Sequence, residues 1–517
     1  MRTGYDLIFL AAERNPDHLA IVDDRTDKRL TYRELIQEID VIAAGLCQRG
    51  VRAGDRVATA LPNSLEHCLI LLALQRLAAV PAVLNFRFPA LQLAEMMREA
   101  AVVGAAVPAD PATVRAARDA LPAGGLLLTL GGSVDGSHDF ARCRAEPNKL
   151  PPVPSPGPDD TAFIFYTSGT TGKPKGALVA HRTTEMRISS LSPITGLRAG
   201  PHLRALGASP LSHGIGFYCV FMTTLVYGGT YFVMSSFSPA AALDMIERNR
   251  ITFLFAVPTI LQAMISAPGY RPERVDSLEF VFHGGAGISA ALLDQLCREW
   301  RARIQHLYGT TETYIPLCNP APHGAPNTLC AVYPHRTRLV RIGGNPNDIA
   351  GPGETGELLV DATSNLIFSS YLNEPETYAQ KVREGWYFTG DVFTRRVDGN
   401  LDFVGRVDDA IRSGGECIYP AEIEQLLLTH PGIRDVCVIG LPDSYWGEAV
   451  TACVVSDQPE LASQELDQHC RSAVLASFKR PRKYVFVDRL PRNSSNKVLR
   501  DELRDSVLES EKRNLVA

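Results

Sequence analysis

Hydrophobic and polar positions along this chain alternate in blocks that predict helices and strands following one another. Short apolar segments predict strands at 56–61 and 80–84, and an apolar helix at 64–77 lies between them. Another helix begins near Thr31, because Thr31 suits an N-cap and Glu34 follows three residues later. Strand, helix and strand at this spacing predict parallel sheets flanked by helices, which is an α/β fold.

The same alternation continues to about residue 310, and a second pattern starts near the end of the chain. Residues 144–160 contain six prolines and predict a linker or surface excursion. After Asp408 the pattern restarts and predicts a compact α+β domain of roughly a hundred residues. We therefore predict a large N-terminal domain at 1–407 and a small, mobile C-terminal domain at 408–517. Further predicted strands are 225–234, 253–257, 436–439, 449–455 and 484–487, and further helices are 240–248, 420–429 and 463–475.

Composition narrows the class of protein. A chain of 517 residues exceeds one ordinary core, and 45% hydrophobic with 21% charged residues is typical of a globular protein. The formal charge of −5 gives no reason to expect nucleic acid or a membrane as partner. The first residues are too briefly apolar for a signal peptide. Eleven scattered cysteines without a CxxC pair predict reduced thiols in the cytoplasm and no structural zinc.

Residues 166–176 carry the most informative chemistry. They read Tyr-Thr-Ser-Gly-Thr-Thr-Gly-Lys-Pro-Lys-Gly and follow an apolar stretch at 162–165 that predicts a buried strand. Glycines let a backbone bend around a ligand, and hydroxyls and lysines supply donors and positive charge, which suits a polyphosphate. Pro174 excludes the common P-loop, since it removes a backbone donor. A solvated loop is the alternative. The predicted phosphate contacts are Thr167, Ser168, Gly169, Thr170, Thr171, Gly172 and Lys175.

Three later segments carry further nucleotide chemistry. The string 307–312 ends in Thr311 and Glu312, and a carboxylate beside a nucleotide can hold Mg²⁺, while Tyr308 can stack on a base. Asp391 can accept hydrogen bonds from both ribose hydroxyls, although it could equally be a turn residue after a glycine. Near the end, the ammonium of Lys497 could neutralise charge that builds at a phosphate. Each signal is weak alone, and their order strengthens them.

Together these strings resemble the adenylate-forming superfamily, which includes acyl- and aryl-CoA ligases, peptide-synthetase adenylation domains and luciferases. The resemblance implies two steps, in which a carboxylate and ATP form an acyl-adenylate and pyrophosphate, and CoA then takes the acyl group. It implies ATP, Mg²⁺ and coenzyme A as cofactors, Glu312 as the metal ligand, Lys497 as the catalytic lysine and Asp408 as the hinge. The ATP contacts that it adds are Gly284, Gly285, Ala286, Tyr308, Gly309, Thr310, Thr311, Asp391 and Arg406.

The segment 209–217 indicates which branch of the superfamily this is. It offers no aspartate to pair an amino-acid substrate, and His213 resembles the histidine that gates the thiol path in CoA ligases, although a core histidine is the alternative. The resemblance is strongest to ligases that activate benzoates. Two departures are Cys417, where asparagine is usual, and Asn496, where many relatives have glycine. The implied CoA contacts are Arg87, Gly414, Gly415, Trp446, Phe478 and Arg480.

The acid itself is less well specified. By position the acyl pocket contains Gly214, Ile215, Phe255, Leu307, Tyr314 and Ile315, whose bulky members favour a flat apolar ring or a short aliphatic body. Tyr314 and His283 are both candidates for a hydrogen bond to a ring substituent. We therefore predict an ATP-dependent acid:CoA ligase for an aromatic, benzoate-like acid. The alternatives are a medium-chain or alicyclic acyl-CoA synthetase, an acyl-AMP ligase that loads a carrier protein, and a nucleotide sensor without catalysis. A homodimer stays open.

Overall fold

A computed structural model describes residues 2–167, 174–458, 460–473, 475–492 and 498–516. These residues form two compact units. The larger unit contains residues up to 337 together with 360–386, and the smaller contains 338–359 and the chain from 387 onward. No helix in these described ranges is both long enough and apolar enough to cross a bilayer.

The helices of the larger unit begin where the sequence supplies caps. Thr31 accepts a hydrogen bond from the Glu34 amide, and the Glu34 side chain accepts one from the Thr31 amide, so the predicted capping box is confirmed. Ser64 caps the apolar helix with its side chain alone, which accepts a hydrogen bond from the His67 amide. The α-helices are α1 Gly4–Arg14, α2 Tyr32–Gln48, α3 Leu65–Arg76, α4 Ala90–Glu99, α5 Pro111–Ala120, α6 His181–Thr195, α7 Thr223–Val226, α8 Pro239–Asn249, α9 Pro258–Ile265, α10 Ala290–Glu299 and α11 Pro375–Lys381.

The larger unit is built on two sheets. In chain order its strands are β1 Leu19–Asp23, β2 Lys28–Thr31, β3 Arg56–Thr59, β4 Val80–Val83, β5 Gly104–Pro108, β6 Leu126–Leu130, β7 His138–Asp139, β8 Thr161–Thr167, β9 Lys175–Ala180, β10 Arg204–Gly207, β11 Thr230–Val233, β12 Phe253–Ala256, β13 Phe280–Gly284, β14 Arg303–Thr310, β15 Tyr314–Asn319 and β16 Thr328–Ala331. The strands β19 Ser370–Tyr371 and β20 Val382–Arg383 also belong to it, and β17 and β18 come between in the chain.

Strand order shows how each sheet combines parallel and antiparallel pairs. One sheet has the order β19-β9-β8-β4-β3-β5-β6-β7, in which β9 and β19 run antiparallel to their neighbours. The second has β16-β15-β14-β13-β12-β10-β11-β1-β2, and its central strands from β1 to β14 are parallel. Parallel strands buried on both faces need helices on both sides, so the predicted α/β class is confirmed.

Helices and strands of the larger unit share one main hydrophobic cluster. Helix α3 contacts β3 and β4 of one sheet and β1 of the other, and it is buried along nearly its whole length. The aromatic rings of Phe163, Phe165 and Phe217 lie against one another, with centroids 4.6–5.8 Å apart. Phe217 belongs to a π-helix at Ile215–Met222, a rare form that often occurs at functional sites. The π-helix that begins at Ile215, a predicted pocket residue, therefore packs in the main hydrophobic cluster.

One predicted strand is partly wrong. The sequence pattern predicts strand at 225–234, but the chain is helical through α7 and becomes strand only at β11. A short apolar run has no period that separates a buried helix from a buried strand. Gly229 lies between the end of α7 and the start of β11. Its backbone runs close to the chain just before the neighbouring strand, since a Cβ there would lie 2.4 Å from the Leu203 carbonyl oxygen. The other predicted strands and helices are confirmed within a few residues at their ends.

The smaller unit also carries two sheets. Its first sheet has the order β17-β18-β21-β22, and its second has β24-β23-β26-β25 with β27 parallel to β26. Helix α12 contacts β25 and α13, as expected for a compact α+β unit. The elements are β17 Thr337–Arg341, β18 Thr355–Asp361, β21 Trp386–Arg395, β22 Leu401–Arg406, β23 Ile411–Ser413, β24 Glu416–Ile418, α12 Pro420–Leu427, β25 Asp435–Asp443, β26 Gly447–Val455, α13 Ser463–Ser472, β27 Lys483–Phe486 and α14 Arg500–Val516.

Candidate active site

Strands β8 and β9 hold the two ends of the predicted phosphate loop. They pair antiparallel, and Thr167 lies opposite Lys175 at the point where the loop leaves the sheet. Ser168, Gly169, Thr170, Thr171 and Gly172 lie outside the described residues. Gly176 is not part of a free loop, contrary to the sequence interpretation. It belongs to β9, where a Cβ would meet Leu372 at 3.1 Å, so close packing explains this glycine.

Of the two lysines in the sequence of the phosphate loop, Lys175 lies within the described residues. Its Nζ lies 3.0 Å from a carboxylate oxygen of Glu374 and 5.6 Å from the ring centroid of Tyr371. Both partners come from the segment that includes β19, which pairs with β9 through Tyr371 and Ala177. The charge of Lys175 is therefore held beside the loop by residues that the sequence reasoning did not identify.

Strand β14 delivers the second predicted motif. Tyr308, Gly309 and Thr310 end the strand, and the turn at Thr311 and Glu312 follows. The hydroxyl of Thr310 accepts a hydrogen bond from the Thr313 amide at 3.2 Å, which fixes the turn. Gly309 must be glycine, because a Cβ would lie 1.5 Å from the Tyr314 carbonyl oxygen. Glu312 is half-buried, and its Oε1 accepts a hydrogen bond from the Tyr371 hydroxyl at 2.8 Å.

A buried arginine on helix α6 supports this turn, and the sequence reasoning missed it. Arg187 is fully buried, and its guanidinium donates to the carbonyl oxygens of Thr311 at 2.9 Å and Glu312 at 3.3 Å. It lies beside the rings of Tyr218 and Tyr314, 5.4 and 5.5 Å from their centroids. Burial lowers the pKa of Arg187, the direction expected for a cation removed from water. A single arginine in a mixed helix gives no sequence signal for this role.

The predicted adenine segment starts at the end of β13. Gly284 pairs with Leu307 of β14, and a Cβ on Gly284 would lie 2.2 Å from the Leu307 carbonyl oxygen. Gly285 has φ +78°, a conformation that favours glycine, and it leads into Ala286. The glycines therefore let this backbone run close to its neighbour and turn sharply at the carboxyl edge of the sheet, where ligands bind in open α/β sheets.

His283 and Tyr314 lie in different environments. His283 alternates with Phe282 along β13, so it shares a sheet face with Val281. Val281 packs in a separate hydrophobic cluster that also contains residues of α8, α9 and α10. Its ring stacks on that of His306 with centroids 4.5 Å apart, and burial lowers its pKa. Tyr314 lies in the main cluster, is 4% exposed, and its hydroxyl has no recorded hydrogen bond within the described residues. Of the two candidates, only Tyr314 shares a cluster with the predicted pocket.

Most of the predicted acyl-pocket residues belong to one hydrophobic cluster. Phe255, Leu307, Tyr314 and Ile315 belong to the main hydrophobic cluster, and Ile215 packs against it. Phe255 Cζ would lie 3.7 Å from a Cβ on Gly284, so the ends of β12 and β13 are in contact. Gly214 directly precedes the π-helix, and among the described residues only Tyr218 comes within 4.0 Å of the position of its missing side chain. The side chains of these predicted pocket residues are apolar apart from the Tyr314 hydroxyl.

His213 and Arg87 lie near each other in the larger unit. His213 is half-buried at the start of the π-helix, and its carbonyl oxygen accepts from the Phe217 amide. Burial, followed by the positive charge of Arg87, lowers the pKa of His213 to about 4. His213 is therefore neutral at physiological pH. Arg87 is exposed and its guanidinium lies 5.6 Å from the ring centroid of Phe86.

In the smaller unit, the predicted ribose pair is adjacent. Asp391 lies opposite Arg406 in the antiparallel pair β21–β22, and their side chains are 3.3 Å apart. Asp391 is 6% exposed, and Gly390 before it has φ +77°. The amide of Gly390 donates to Glu357 at 2.9 Å. The turn therefore holds the Asp391 carboxylate against a guanidinium.

The glycine-rich loop of the smaller unit contacts Trp446. The Gly414 amide donates to the Trp446 carbonyl at 2.8 Å, and a Cβ on Gly414 would lie 2.8 Å from the indole ring. Gly414 has φ +61° and Gly415 has φ +86°. The guanidinium of Arg482 lies 4.2 Å from the Trp446 ring centroid, so a cation that the sequence reasoning missed packs on this indole. Cys417 is exposed beyond the loop.

The remaining predicted residues are placed less closely. Phe478 is 37% exposed and follows α13, while Arg480 is half-buried two residues later. Asp408 is exposed in a turn after β22, and its role as hinge stays a prediction. Lys497 lies outside the described residues.

Comparison with known proteins identifies the family. The profile of the AMP-binding enzyme family matches residues 8–372, and that of the AMP-binding enzyme C-terminal domain matches residues 422–497.

The chain belongs to the AMP-binding enzyme family.

AMP-binding enzymes that resemble this chain include named CoA ligases. It is 38% identical to a 4-chlorobenzoate–CoA ligase from Arthrobacter over 98% of this chain and 95% of the relative. It is 37% identical to a feruloyl-CoA synthase from Amycolatopsis, over 92% and 93%. The structure of o-succinylbenzoate CoA synthetase from Bacillus subtilis with ATP and magnesium matches with a TM-score of 0.84 and 26% identity, over 96% and 98%. The predicted resemblance and the large and small domains of this fold are confirmed.

Proposed function

We propose that this chain is an ATP-dependent carboxylic acid:CoA ligase that acts through an acyl-adenylate on an aromatic, benzoate-like acid. It is an AMP-forming acid–thiol ligase that uses ATP, Mg²⁺ and coenzyme A, and this reaction class follows from the family match and the named CoA-ligase relatives. The aromatic acid, the cytoplasmic location, the absence of a membrane partner and a homodimer are the parts that we add.

The observation that carries the aromatic acid is the apolar cluster around β12, β14 and β15. Phe255, Leu307 and Ile315 belong to the main hydrophobic cluster, and none of the predicted pocket residues is charged. An ammonium would therefore lack an anionic partner among these residues, whereas an apolar ring would lie against apolar side chains. The Tyr314 hydroxyl gives a ring substituent one hydrogen-bonding partner. The two curated relatives bear the names of ring acids as well.

For adenylation, charged residues of each unit have distinct tasks. We assign Lys175 and Thr311 to the phosphates, Asp391 with Arg406 to the ribose, and Lys497 to the charge that develops at the α-phosphate. Glu312 fits a Mg²⁺ ligand, because Mg²⁺ binds through one or two carboxylates plus substrate phosphates. When bound, the cation would offset the phosphate charge. One carboxylate oxygen of Glu312 accepts a hydrogen bond from Tyr371, and the other oxygen is the one that would bind the cation.

For thioester formation, we assign the thiol path to neutral His213 and the CoA nucleotide to Arg87, Trp446, Phe478 and Arg480. A histidine with a pKa near 4 cannot repel a cationic neighbour and cannot hold a proton at pH 7. Gly414 and Gly415 supply a narrow backbone beside Trp446, which suits a path for a pantetheine arm. Asp408 is the proposed hinge between the two half-reactions, as few-residue hinges are typical of such movements.

Two other substrates follow from specific features. The small residue Gly214 would leave room for an alicyclic or medium-chain acid, whereas the space beside Gly284 is filled by the Leu307 carbonyl. A carrier protein could replace free CoA, but the Trp446–Arg482 pair offers an aromatic face and a cation that a carrier arm without a nucleotide would not use. We therefore favour free CoA and a ring acid.

The test is a competition among acids. Purified protein with Mg·ATP and CoA is given benzoates, hydroxy- and chlorobenzoates, cinnamates, cyclohexanecarboxylate and fatty acids, and kcat/KM is measured from pyrophosphate release. We expect the ring acids to exceed the aliphatic acids by at least about 10-fold, since a mismatch of one methylene in an apolar pocket costs about 1–3 kcal/mol. Higher kcat/KM for fatty acids would contradict the aromatic assignment, and adenylation without CoA-dependent turnover would favour the carrier protein.

A further inference from the structure

Tyr371 donates a side-chain hydrogen bond to Glu312, the proposed metal ligand. Its hydroxyl donates to Oε1 of Glu312 at 2.8 Å. Tyr371 is 4% exposed, and its ring packs edge-on against Phe368 with centroids 4.8 Å apart. A donor that is this well buried has few rotamers available, so it fixes the direction of the carboxylate oxygen that it contacts.

The short strand that carries Tyr371 is tied to both predicted nucleotide motifs. Its backbone pairs with β9, and the Leu372 amide donates to the Gly176 carbonyl at 2.7 Å. On the other side, the Phe368 amide donates to the carbonyl of Glu312 at 2.8 Å. The segment 368–372 therefore links the strand that leaves the phosphate loop to the turn that carries Glu312.

Electrostatics at the ring supports the same link. Lys175 Nζ lies 5.6 Å from the Tyr371 ring centroid, and Glu374, from the same segment, lies 3.0 Å from that Nζ. A cation beside the ring withdraws electron density from the phenol and strengthens its hydroxyl as a donor. Glu374, Lys175, Tyr371 and Glu312 thus form a continuous chain of contacts that ends at the carboxylate.

We propose that Tyr371 is a positioning residue that holds Oε1 of Glu312 and leaves Oε2 as the oxygen that binds Mg²⁺. The proposal rests on the proposed function, in which Glu312 is the metal ligand. Residues that orient a metal ligand commonly change metal affinity about 10- to 100-fold when they are replaced. A tyrosine that only packs the core would leave the affinity unchanged when its hydroxyl is removed.

The test is metal affinity in the variant Tyr371→Phe, which keeps the ring and removes the hydroxyl. Mn²⁺ is titrated by electron paramagnetic resonance into protein that holds a non-hydrolysable ATP analogue, so the readout does not depend on turnover. We expect at least about 10-fold weaker Mn²⁺ binding. The matched control is Tyr378→Phe, which removes a hydroxyl from a ring that packs on the same Phe368, and it should bind Mn²⁺ as the wild type does.

A second variant separates positioning from a general loss of structure. In the background Glu312→Gln, the change Tyr371→Phe should weaken Mn²⁺ binding no further, because the two residues act on one ligand. Affinity within about 2-fold of wild type in Tyr371→Phe, or an equal loss in both backgrounds, would overturn the proposal. Failure of the proposed function would look different, since the wild type would then release no pyrophosphate with any acid.

Discussion

Replacing Arg187 by methionine tests whether a buried cation holds the turn of the predicted metal site. The guanidinium donates to the carbonyl oxygens of Leu366, Thr311 and Glu312 at 2.9, 2.9 and 3.3 Å, and the side chain is fully buried. Methionine fills a similar volume but donates no hydrogen bond. The Phe368 amide also donates to the Glu312 carbonyl, so the carbonyls of Thr311 and Leu366 are the two that lose their donor when Arg187 is replaced. Each buried carbonyl without a donor costs about 1–3 kcal/mol, and the relief of burying a charge offsets part of that sum.

We therefore expect the free energy of unfolding to fall by about 2–4 kcal/mol in Arg187→Met. Urea unfolding followed by circular dichroism measures this change, and pyrophosphate release measures the accompanying loss of adenylation. Arg187→Lys keeps the charge without the planar fork, so it should fall between wild type and the methionine variant. A loss below about 0.5 kcal/mol in Arg187→Met would refute the reasoning.

A surface-near arginine provides the matched control. Arg76 also lies over a tyrosine ring, at 5.1 Å from the Tyr5 centroid, and pairs with Asp40 at 2.8 Å. It is partly exposed, so water can replace its partners when it is removed. Arg76→Met should therefore cost only about 1 kcal/mol. Equal losses at Arg76 and Arg187 would mean that any arginine stacked on a tyrosine behaves alike and that the buried carbonyls do not matter.

Three further predictions concern the thiol side and the catalytic lysine. Gly414→Ala should slow thioester formation from pre-formed acyl-adenylate at least about 10-fold, because its Cβ would lie 2.8 Å from the Trp446 indole. The control is Gly415→Ala, which also places alanine at a positive φ but has no described atom within 4 Å of the new Cβ. Equal slowing of both variants in rapid-quench assays would exclude the clash as the cause. The pKa of His213 in the folded protein is near 4, below its usual 6.5, so the unfolded chain binds the proton first and stability falls as pH drops from about 6.5 to about 4. The free energy of unfolding of His213→Gln should therefore depend less on pH in this window. A pH dependence equal to that of the wild type would contradict the burial of a neutral imidazole ring. Lys497→Ala should lower adenylation by at least about 10²-fold and spare thioester formation from added acyl-adenylate, and unchanged pyrophosphate release would exclude its assigned role.

Local sequence signals predicted much of the fold and several pairings of the site. The cap at Thr31 and the strand–helix alternation depend on near neighbours, so they can be read from the chain. Asp391 and Arg406 were both predicted as ATP contacts from the family resemblance, and they lie opposite each other in β21–β22. Where local signals agree with the final fold, sequence reasoning succeeds.

The missed contacts depend on residues that are far apart in the chain. Arg187 reaches a turn 124 positions later, and Tyr371 reaches Glu312 across 59 positions. Neither residue type announces such a role, because arginine and tyrosine are ordinary in these contexts. The same limit explains why sequence alone left both His283 and Tyr314 as candidates, whereas strand alternation in the structure places His283 on the opposite face.

The central claim is that this chain joins a ring acid to CoA through an adenylate. The most direct measurement is mass spectrometry of products from purified protein with Mg·ATP and a benzoate, before and after CoA is added. We predict a benzoyl-type adenylate with pyrophosphate first, followed by the CoA thioester and AMP. Absence of the adenylate with every ring acid, or an adenylate that CoA does not convert to a thioester, would contradict the account.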